Sequence, residues 1–463
     1  MLAQATGVTA SLGSLNRLRA HLLAQLVCLG RHTVTALLAT NGQLQRDWSA
    51  DYRLYSRERL DAAKLFAPIR RGAQQSLAAD QALTVAMDDS ILRKTGRNIP
   101  GVGFRRDPLS PPFHVNFVRG MRFVQLSALV HQPDGFCRMI PIDFQQAPLP
   151  ARPARNASLE QQQQYKVALA AANINYLGRE RILALRQQLD EDAKGPGRHL
   201  RVVVDGRFTN AKLLKCLPSK TTLIGRIRRD AKLFFLPQSR ALTGRKRLYG
   251  QTAPTPEALL ADPRVEFQIV HAQLGARSCP FRVKVLGPLR ALQAGGHQNV
   301  QLLVIAPLGY RLRKGSKLLY RQPAFLICTD PSLSVQELLQ SYLWRWDIEV
   351  NFRDQKSLLG IEEAQVRNPH SVQLQPAAAV AAYGLLLLAA SQANLQALSG
   401  PKWRHDPEPK RLSTASLINL LRHELWNASI TKPFIHFRSD PGDDQNPIKL
   451  QPDLRSALFY AAA

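Results

Sequence analysis

Four polar residues at fixed spacing share one stretch of the C-terminal half. They are Tyr342, Arg345, Glu349 and Lys356. On an α-helix, at about 100° per residue, their side chains fall within roughly 60° of one another along about 21 Å of axis. A carboxylate flanked by two cations favours a functional site. The alternative is a solvent-facing stripe, in which Glu349 forms an ordinary surface pair with Arg353 four residues on.

The surrounding segment predicts one helix from Ser334 to Gly360. Ser334 followed by Glu337 forms a capping box at its start, and Gly360 is a suitable stop. Apolar residues recur at helical spacing and predict one buried face. They are Val335, Leu338, Leu339, Tyr342, Leu343, Trp346 and Val350. The four polar residues would lie beside this face, and Trp346 is expected in the core.

Two aspartates follow short apolar stretches that predict β-strands. The sequence LTVAMD ends in Asp88, and HLRVVVD ends in Asp205. A single aspartate at this position is more often a turn or cap residue. Asp88 and Asp205 become candidates for one shared site only when their order along the chain and the later Glu349 are considered together.

The spacing Tyr342, Arg345, Glu349, Lys356 and the local sequence RWDIEVNFRDQKS resemble bacterial cut-and-paste insertion-sequence transposases of the DDE type with the Tyr-Arg-Glu-Lys signature. The resemblance extends over about residues 83–397. It implies that Asp88, Asp205 and Glu349 are catalytic metal ligands for Mg²⁺, with Mn²⁺ as a substitute. It also implies that Tyr342, Arg345 and Lys356 contact DNA phosphates.

The first acid has an alternative, because Asp88 and Asp89 are adjacent. Neighbouring side chains in a strand point to opposite faces, so at most one faces the metal. Asp88 directly ends the apolar stretch and begins an Asp-x-Ser pattern that resembles many family members. Some relatives carry another acid just before the catalytic one, which would make Asp89 the ligand and Asp88 its neighbour.

The order of predicted elements is three strands, a helix, a strand, a helix, a strand and finally the Glu349 helix. The resemblance implies a ribonuclease-H-like α/β core with a mixed sheet, split by a β-rich insertion and preceded by a helical domain. We therefore expect a DNA-binding or dimerisation region at 1–78 and a catalytic core at 79–235 and 333–397. A basic β-rich insertion is expected at 236–332 and a helical tail at 398–463.

Composition points to a polyanionic partner. The 463 residues include 62 Lys and Arg against 34 Asp and Glu, a net charge of +28, and nucleic acid is the usual partner of such a chain. The longest apolar stretch, 377–390, is too short to span a bilayer and predicts a core helix. The five cysteines are scattered singly, which favours a reducing cytoplasm.

These observations predict a DNA transposase that cleaves the ends of its own element and joins the 3′-OH ends to target DNA. Its expected partners are double-stranded transposon-end and target DNA and a second copy of itself on DNA, with no membrane. Its expected location is the bacterial cytoplasm, on the nucleoid. A related endonuclease or domesticated relative is the first alternative. A non-catalytic basic DNA-binding protein is the second, although carboxylates near DNA weaken binding unless a metal covers them.

Overall fold

The computed structural model describes residues 7–9, 11–107, 110–111, 113–132, 136–147, 149–192, 195, 197–237, 247–275, 277–294, 298–313, 315–393 and 411–427. Its helices are α1 (Leu12–Val27), α2 (Val34–Thr40), α3 (Ser49–Ser56), α4 (Ala62–Leu65), α5 (Ala67–Gln75), α6 (Leu159–Ala171), α7 (Ile174–Glu191), α8 (Ala211–Leu214), α9 (Pro256–Ala261), α10 (Val335–Trp344), α11 (Asp347–Ser357), α12 (Pro369–Gln392) and α13 (Thr414–Asn427). Its strands are β1 (Leu83–Arg93), β2 (Gly103–Arg106), β3 (Phe117–His131), β4 (Cys137–Ala147), β5 (Leu200–Val204), β6 (Thr221–Arg226), β7 (Leu233–Phe235), β8 (Gln268–Leu274), β9 (Arg277–Ala291), β10 (Asn299–Ile305), β11 (Gly309–Tyr310), β12 (Leu319–Tyr320) and β13 (Ala324–Cys328).

One large mixed sheet organises the molecule. Its strand order is β2-β3-β1-β5-β6-β13-β10-β9-β7, with β4 added to β3 and β8 added to β9. Strands β1, β5 and β6 are parallel to one another, whereas β3 is antiparallel to β1. The predicted mixed α/β, ribonuclease-H-like class is therefore confirmed. Strands β13, β10, β9 and β8 continue the sheet beyond β6, whereas β11 and β12 pair in a separate two-stranded sheet. Most strands of the expected insertion therefore share one sheet with the expected core.

The strands beside the first two acids are paired in register. Met87 of β1 pairs with Val204 of β5, which brings Asp88 and Asp205 to the same level of two neighbouring strands. The expectation that the first strand ends at Asp88 is wrong, because β1 continues to Arg93. Pairing with β3 extends from Val85 to Arg93 and carries the strand past the end of β5.

The N-terminal helices pack around a central apolar helix. Helix α12 contacts α1, α3 and α5 and also packs against strand β4. By length and composition α12 could cross a membrane, but 72% of its most apolar window is buried inside the protein. Close packing is visible at Gly72 of α5, where an added Cβ would lie 2.4 Å from a Leu388 methyl group. This agrees with the prediction of a buried core helix.

Two predicted helices are each divided in the structure. Ser158 followed by Gln161 predicts a capped helix that extends to about Lys194. The helix begins there with a full capping box, but it breaks at Asn173, whose side chain caps α7. The helix expected from Ser334 to Gly360 begins at the predicted cap and divides into α10 and α11 at Arg345–Trp346. In both cases a local hydrogen bond replaces the helical one, which periodicity alone does not indicate.

Three further expectations fall at loops and at the tail. The glycine-containing basic sequence RKTGRNIPGVGFRRD, residues 93–107, predicts a flexible loop, but it contributes the short strand β2, paired with β3. In the tail, the sequence predicts one amphipathic helix near Ser413 to Glu424, and this helix is present as α13. The remainder of the predicted tail 398–463, together with most of the basic sequence RALTGRKRLYG, lies outside the described residues.

Candidate active site

Strand geometry assigns Asp88 and Asp89 to opposite faces of the sheet. Asp88 pairs with Gln125 of β3, and on that face helix α11 packs through contacts to Gln125 and Ser127. Asp89 shares the other face with Met87, which packs beside Gly178 of α7. Asp88 therefore lies on the face that carries Glu349, and Asp89 does not.

Arg345 joins the first and last predicted acids. Its Nη1 donates to Asp88 Oδ2 at 3.0 Å and its Nη2 donates to Glu349 Oε1 at 3.2 Å. The Arg345 residue is only 8% exposed. A buried guanidinium shared by two carboxylates fixes their separation and orientation.

Asp205 follows β5 in a tight turn. Its Oδ1 accepts hydrogen bonds from the backbone N–H groups of Arg207 and Phe208, at 2.9 and 3.3 Å. Its backbone oxygen accepts from the Thr209 hydroxyl at 2.8 Å. These bonds hold the carboxylate at the carboxyl end of the strand, beside Asp88.

The electrostatics of the cluster show an excess of negative charge. Burial, and then the negative charge of Asp205, raise the pKa of Asp88 to about 7, against the opposing effect of Arg345. Burial disfavours the charge of Arg345, but the Asp88 and Glu349 carboxylates leave its pKa raised. A cation is bound favourably where the negative charge of neighbouring acids exceeds the positive charge of the arginine beside them.

The break between α10 and α11 sets the direction of Arg345 and Glu349. Backbone N–H groups of Trp346, Ile348 and Glu349 bond three residues back, so the chain tightens there into a 3₁₀-like turn. The turn rotates Trp346 out of the core, and the residue is 59% exposed. The expectation that Trp346 packs in the core is therefore wrong, because a continuous helix does not pass through this position.

A buried polar network holds α11 against the sheet, and sequence reasoning missed it. Asn351 Nδ2 donates to Ser127 Oγ at 3.2 Å and to Met139 O at 2.8 Å, and the Tyr383 hydroxyl donates to Asn351 Oδ1. Gln355 Nε2 donates to Gln125 Oε1 at 2.9 Å. The available signal was polar residues at i and i+4 on α11 facing polar residues at alternating positions of β3.

The remaining predicted DNA contacts lie at the edge of this site. Lys356 Nζ donates to the backbone oxygen of Ile91 at 2.9 Å, and burial lowers the pKa of Lys356. Tyr342 is half-buried, with the Arg345 guanidinium 5.8 Å from its ring centroid. In this structure both cations of the predicted stripe thus contact protein oxygen atoms. Their contact with DNA stays a prediction.

The donor set fits a hard divalent cation. Carboxylate oxygens are the ligands that Mg²⁺ prefers, and the three acids Asp88, Asp205 and Glu349 outnumber the one guanidinium, Arg345, that contacts two of them. Within the described part of the chain, no three His, Cys, Asp or Glu side chains are grouped closely enough to hold one ion together. Asp88 and Glu349 are instead held by the Arg345 guanidinium, which must move if both are to bind the same ion.

Comparison with known families agrees with this geometry. Residues 10–278 match the family described as DDE superfamily endonuclease. The match spans more than half of the chain, so the protein belongs to this family and is a DDE-type, transposase-like enzyme whose substrate is DNA. The matched range contains Asp88, Asp205 and the N-terminal helices, and it ends before Glu349. No curated protein matches the chain.

Proposed function

We propose that the protein is a DNA transposase of a bacterial insertion sequence, acting on the nucleoid in the cytoplasm. It binds the ends of its element, cleaves them by metal-dependent phosphodiester hydrolysis and joins the 3′-OH ends to target DNA. The observation that carries the proposal is the joint contact of Asp88 and Glu349 with Arg345, beside Asp205, in a chain of this family. The net charge of +28 supports binding to long stretches of DNA.

The proposed metal ligands are Asp88, Asp205 and Glu349, binding Mg²⁺ or Mn²⁺. Divalent ions at such a site activate the attacking oxygen and stabilise the leaving oxygen. The chain's own contribution is positioning. Strands β1 and β5 hold the two aspartates at one level, and the Asn351 and Gln355 contacts hold the Glu349 helix over them.

Arg345 has a second role in this proposal. Its guanidinium is paired with both Asp88 and Glu349 in the structure, and a guanidinium is also well suited to bind a phosphate. We propose that Arg345 turns to a DNA phosphate when the acids bind metal, with Lys356 and Tyr342 contacting neighbouring phosphates. Two copies of the protein are expected on DNA, because two ends must be joined.

A test of the proposed reaction separates joining from cutting. Duplexes carrying the inverted repeats expected at the borders of the element are supplied with 3′-OH ends already exposed, together with a supercoiled target plasmid and Mg²⁺. A transposase inserts these ends and converts the plasmid to branched or linear products. Cleavage of intact ends without any insertion of pre-exposed ends would favour the second candidate, an endonuclease, which the family description supports directly.

A further inference from the structure

Three arginines converge on Asp89, on the face of β1 opposite to Asp88. Arg122 Nε lies 3.2 Å from Asp89 Oδ2, and Arg207 Nε lies 3.5 Å from Asp89 Oδ1. Arg105 lies near enough for the Asp89 charge to affect its pKa. Three guanidinium groups around one carboxylate leave a local charge of about +2, counting one unit for each group.

The sheet builds this cluster from separate strands. Arg105 of β2 pairs with Val118 of β3, and Val124 of β3 pairs with Asp89. Val118, Arg122 and Val124 are separated by even numbers of residues, so Arg105, Arg122 and Asp89 all point to the same face. Arg207 reaches the cluster from the turn after β5, next to Asp205.

The cluster has donors that the protein itself does not satisfy. Nε and Nη2 of Arg105 are buried and lack a hydrogen-bond partner among the described residues. Burial, and then the like charge of Arg122, lower the pKa of Arg105 to about 10. An ion pair built only for stability needs one arginine for one acid, and unpaired buried donors are costly. Guanidinium groups with free donors bind the oxygens of a phosphate well.

The cluster is also open to solvent on one side. The Arg207 side chain is 42% exposed, whereas the side chains of Arg122 and Asp89 are 16% and 10% exposed. Arg207 connects the cluster to Asp205, because its backbone N–H donates to Asp205 Oδ1 at 2.9 Å while its side chain lies 3.5 Å from Asp89. A bound anion in the cluster would therefore sit close to the catalytic acids.

We infer that Arg105, Arg122 and Arg207 form a pocket for a phosphodiester of the DNA backbone, with Asp89 holding two of the arginines in place. The inference rests on the proposed function, because it requires DNA to lie across Asp88 of β1 and the carboxyl end of β5. The pocket is separate from the stripe of Tyr342, Arg345 and Lys356, because it lies on the other face of the sheet. It positions the strand without reading its sequence.

The test measures DNA binding without cleavage. Fluorescence anisotropy with a labelled duplex of about 30 bp, in EDTA, gives the slope of log affinity against log salt. Arg105→Met removes one contact to phosphate, so the slope should become shallower by about 0.9 and affinity at low salt should fall. Arg105→Lys should keep most of the slope, because the charge remains. Arg207→Met is the second variant if Arg105→Met fails to fold by thermal unfolding.

The matched control is Arg264→Met, which makes the same chemical change at an exposed arginine paired with Asp262. The control should leave the slope unchanged. An unchanged slope in Arg105→Met, or an equal fall in Arg264→Met, would overturn the pocket. The assay requires no catalysis, so a protein that binds as predicted but fails to cleave contradicts only the proposed function.

Discussion

Replacing Asp88 by asparagine should stabilise the metal-free protein, and more so at high pH. Burial and the charge of Asp205 raise the Asp88 pKa from 3.8 to about 7. A carboxyl whose pKa is raised by folding favours the folded state while it is protonated. This stability is complete below the unfolded pKa and is lost as pH rises through the folded pKa. The Asp88→Asn substitution removes the charge and with it the loss.

The size of the effect follows from the pH interval in which the Asp88 carboxyl is protonated in the folded protein but ionised in the unfolded protein. From about pH 5 to the folded pKa near 7 is roughly two units, and each unit corresponds to about 1.4 kcal/mol. The stability gained by Asp88→Asn should therefore be larger by up to about 3 kcal/mol at about pH 8.5 than at about pH 5. Taking the difference between two pH values cancels the pH-independent effects of the substitution.

Urea unfolding followed by tryptophan fluorescence, in EDTA at the two pH values, measures this difference. Asp230→Asn is the control, because the fully exposed Asp230 makes only a surface pair with Arg228. Its effect should be small at both pH values. A gain for Asp88→Asn that is equal at both pH values, or a loss that grows with pH, would refute the assignment of Asp88 to a buried, negatively charged site.

Three further substitutions test the geometry. Lys356→Met should lower the salt slope of DNA binding by up to about one, measured by anisotropy, and an unchanged slope would restrict Lys356 to its bond with Ile91. Gly120→Ala places a Cβ 2.3 Å from the backbone oxygen of Leu92, so urea unfolding should show a loss of about 1–3 kcal/mol. Asn351→Ala leaves the buried Tyr383 hydroxyl without its acceptor, so it should cost about 1–3 kcal/mol and slow cleavage while DNA binding is kept.

The sequence was sufficient for the parts of the fold that depend on local pattern. Alternating and apolar stretches located the strands before Asp88 and Asp205, and the Ser334 cap located the start of α10. The spacing of Arg345 and Glu349 indicated that the two side chains lie together, and the structure shows them 3.2 Å apart. The two residues are four positions apart, about one turn, and the tightened turn at Trp346 still leaves their side chains in contact.

Features without a local sequence signal were not predictable. The break at Arg345–Trp346 and the exposure of Trp346 arise from hydrogen bonds three residues back, for which no Gly or Pro provides a signal. The continuation of β1 beyond Asp88 depends on a partner strand about thirty residues later. The arginines around Asp89 come from three separate segments, so only the sheet register brings them together.

The central claim is that Asp88, Asp205 and Glu349 together carry metal-dependent chemistry on DNA. The most direct measurement is cleavage of a labelled element-end duplex in Mg²⁺ or Mn²⁺ by the wild type, Asp88→Asn, Asp89→Asn, Asp205→Asn and Glu349→Gln, with binding of the same duplex measured in parallel. We predict that the Asp88, Asp205 and Glu349 variants bind the duplex but do not cleave it in either metal, whereas Asp89→Asn keeps measurable cleavage. Full cleavage by Glu349→Gln, or activity in Asp88→Asn with none in Asp89→Asn, would contradict the claim.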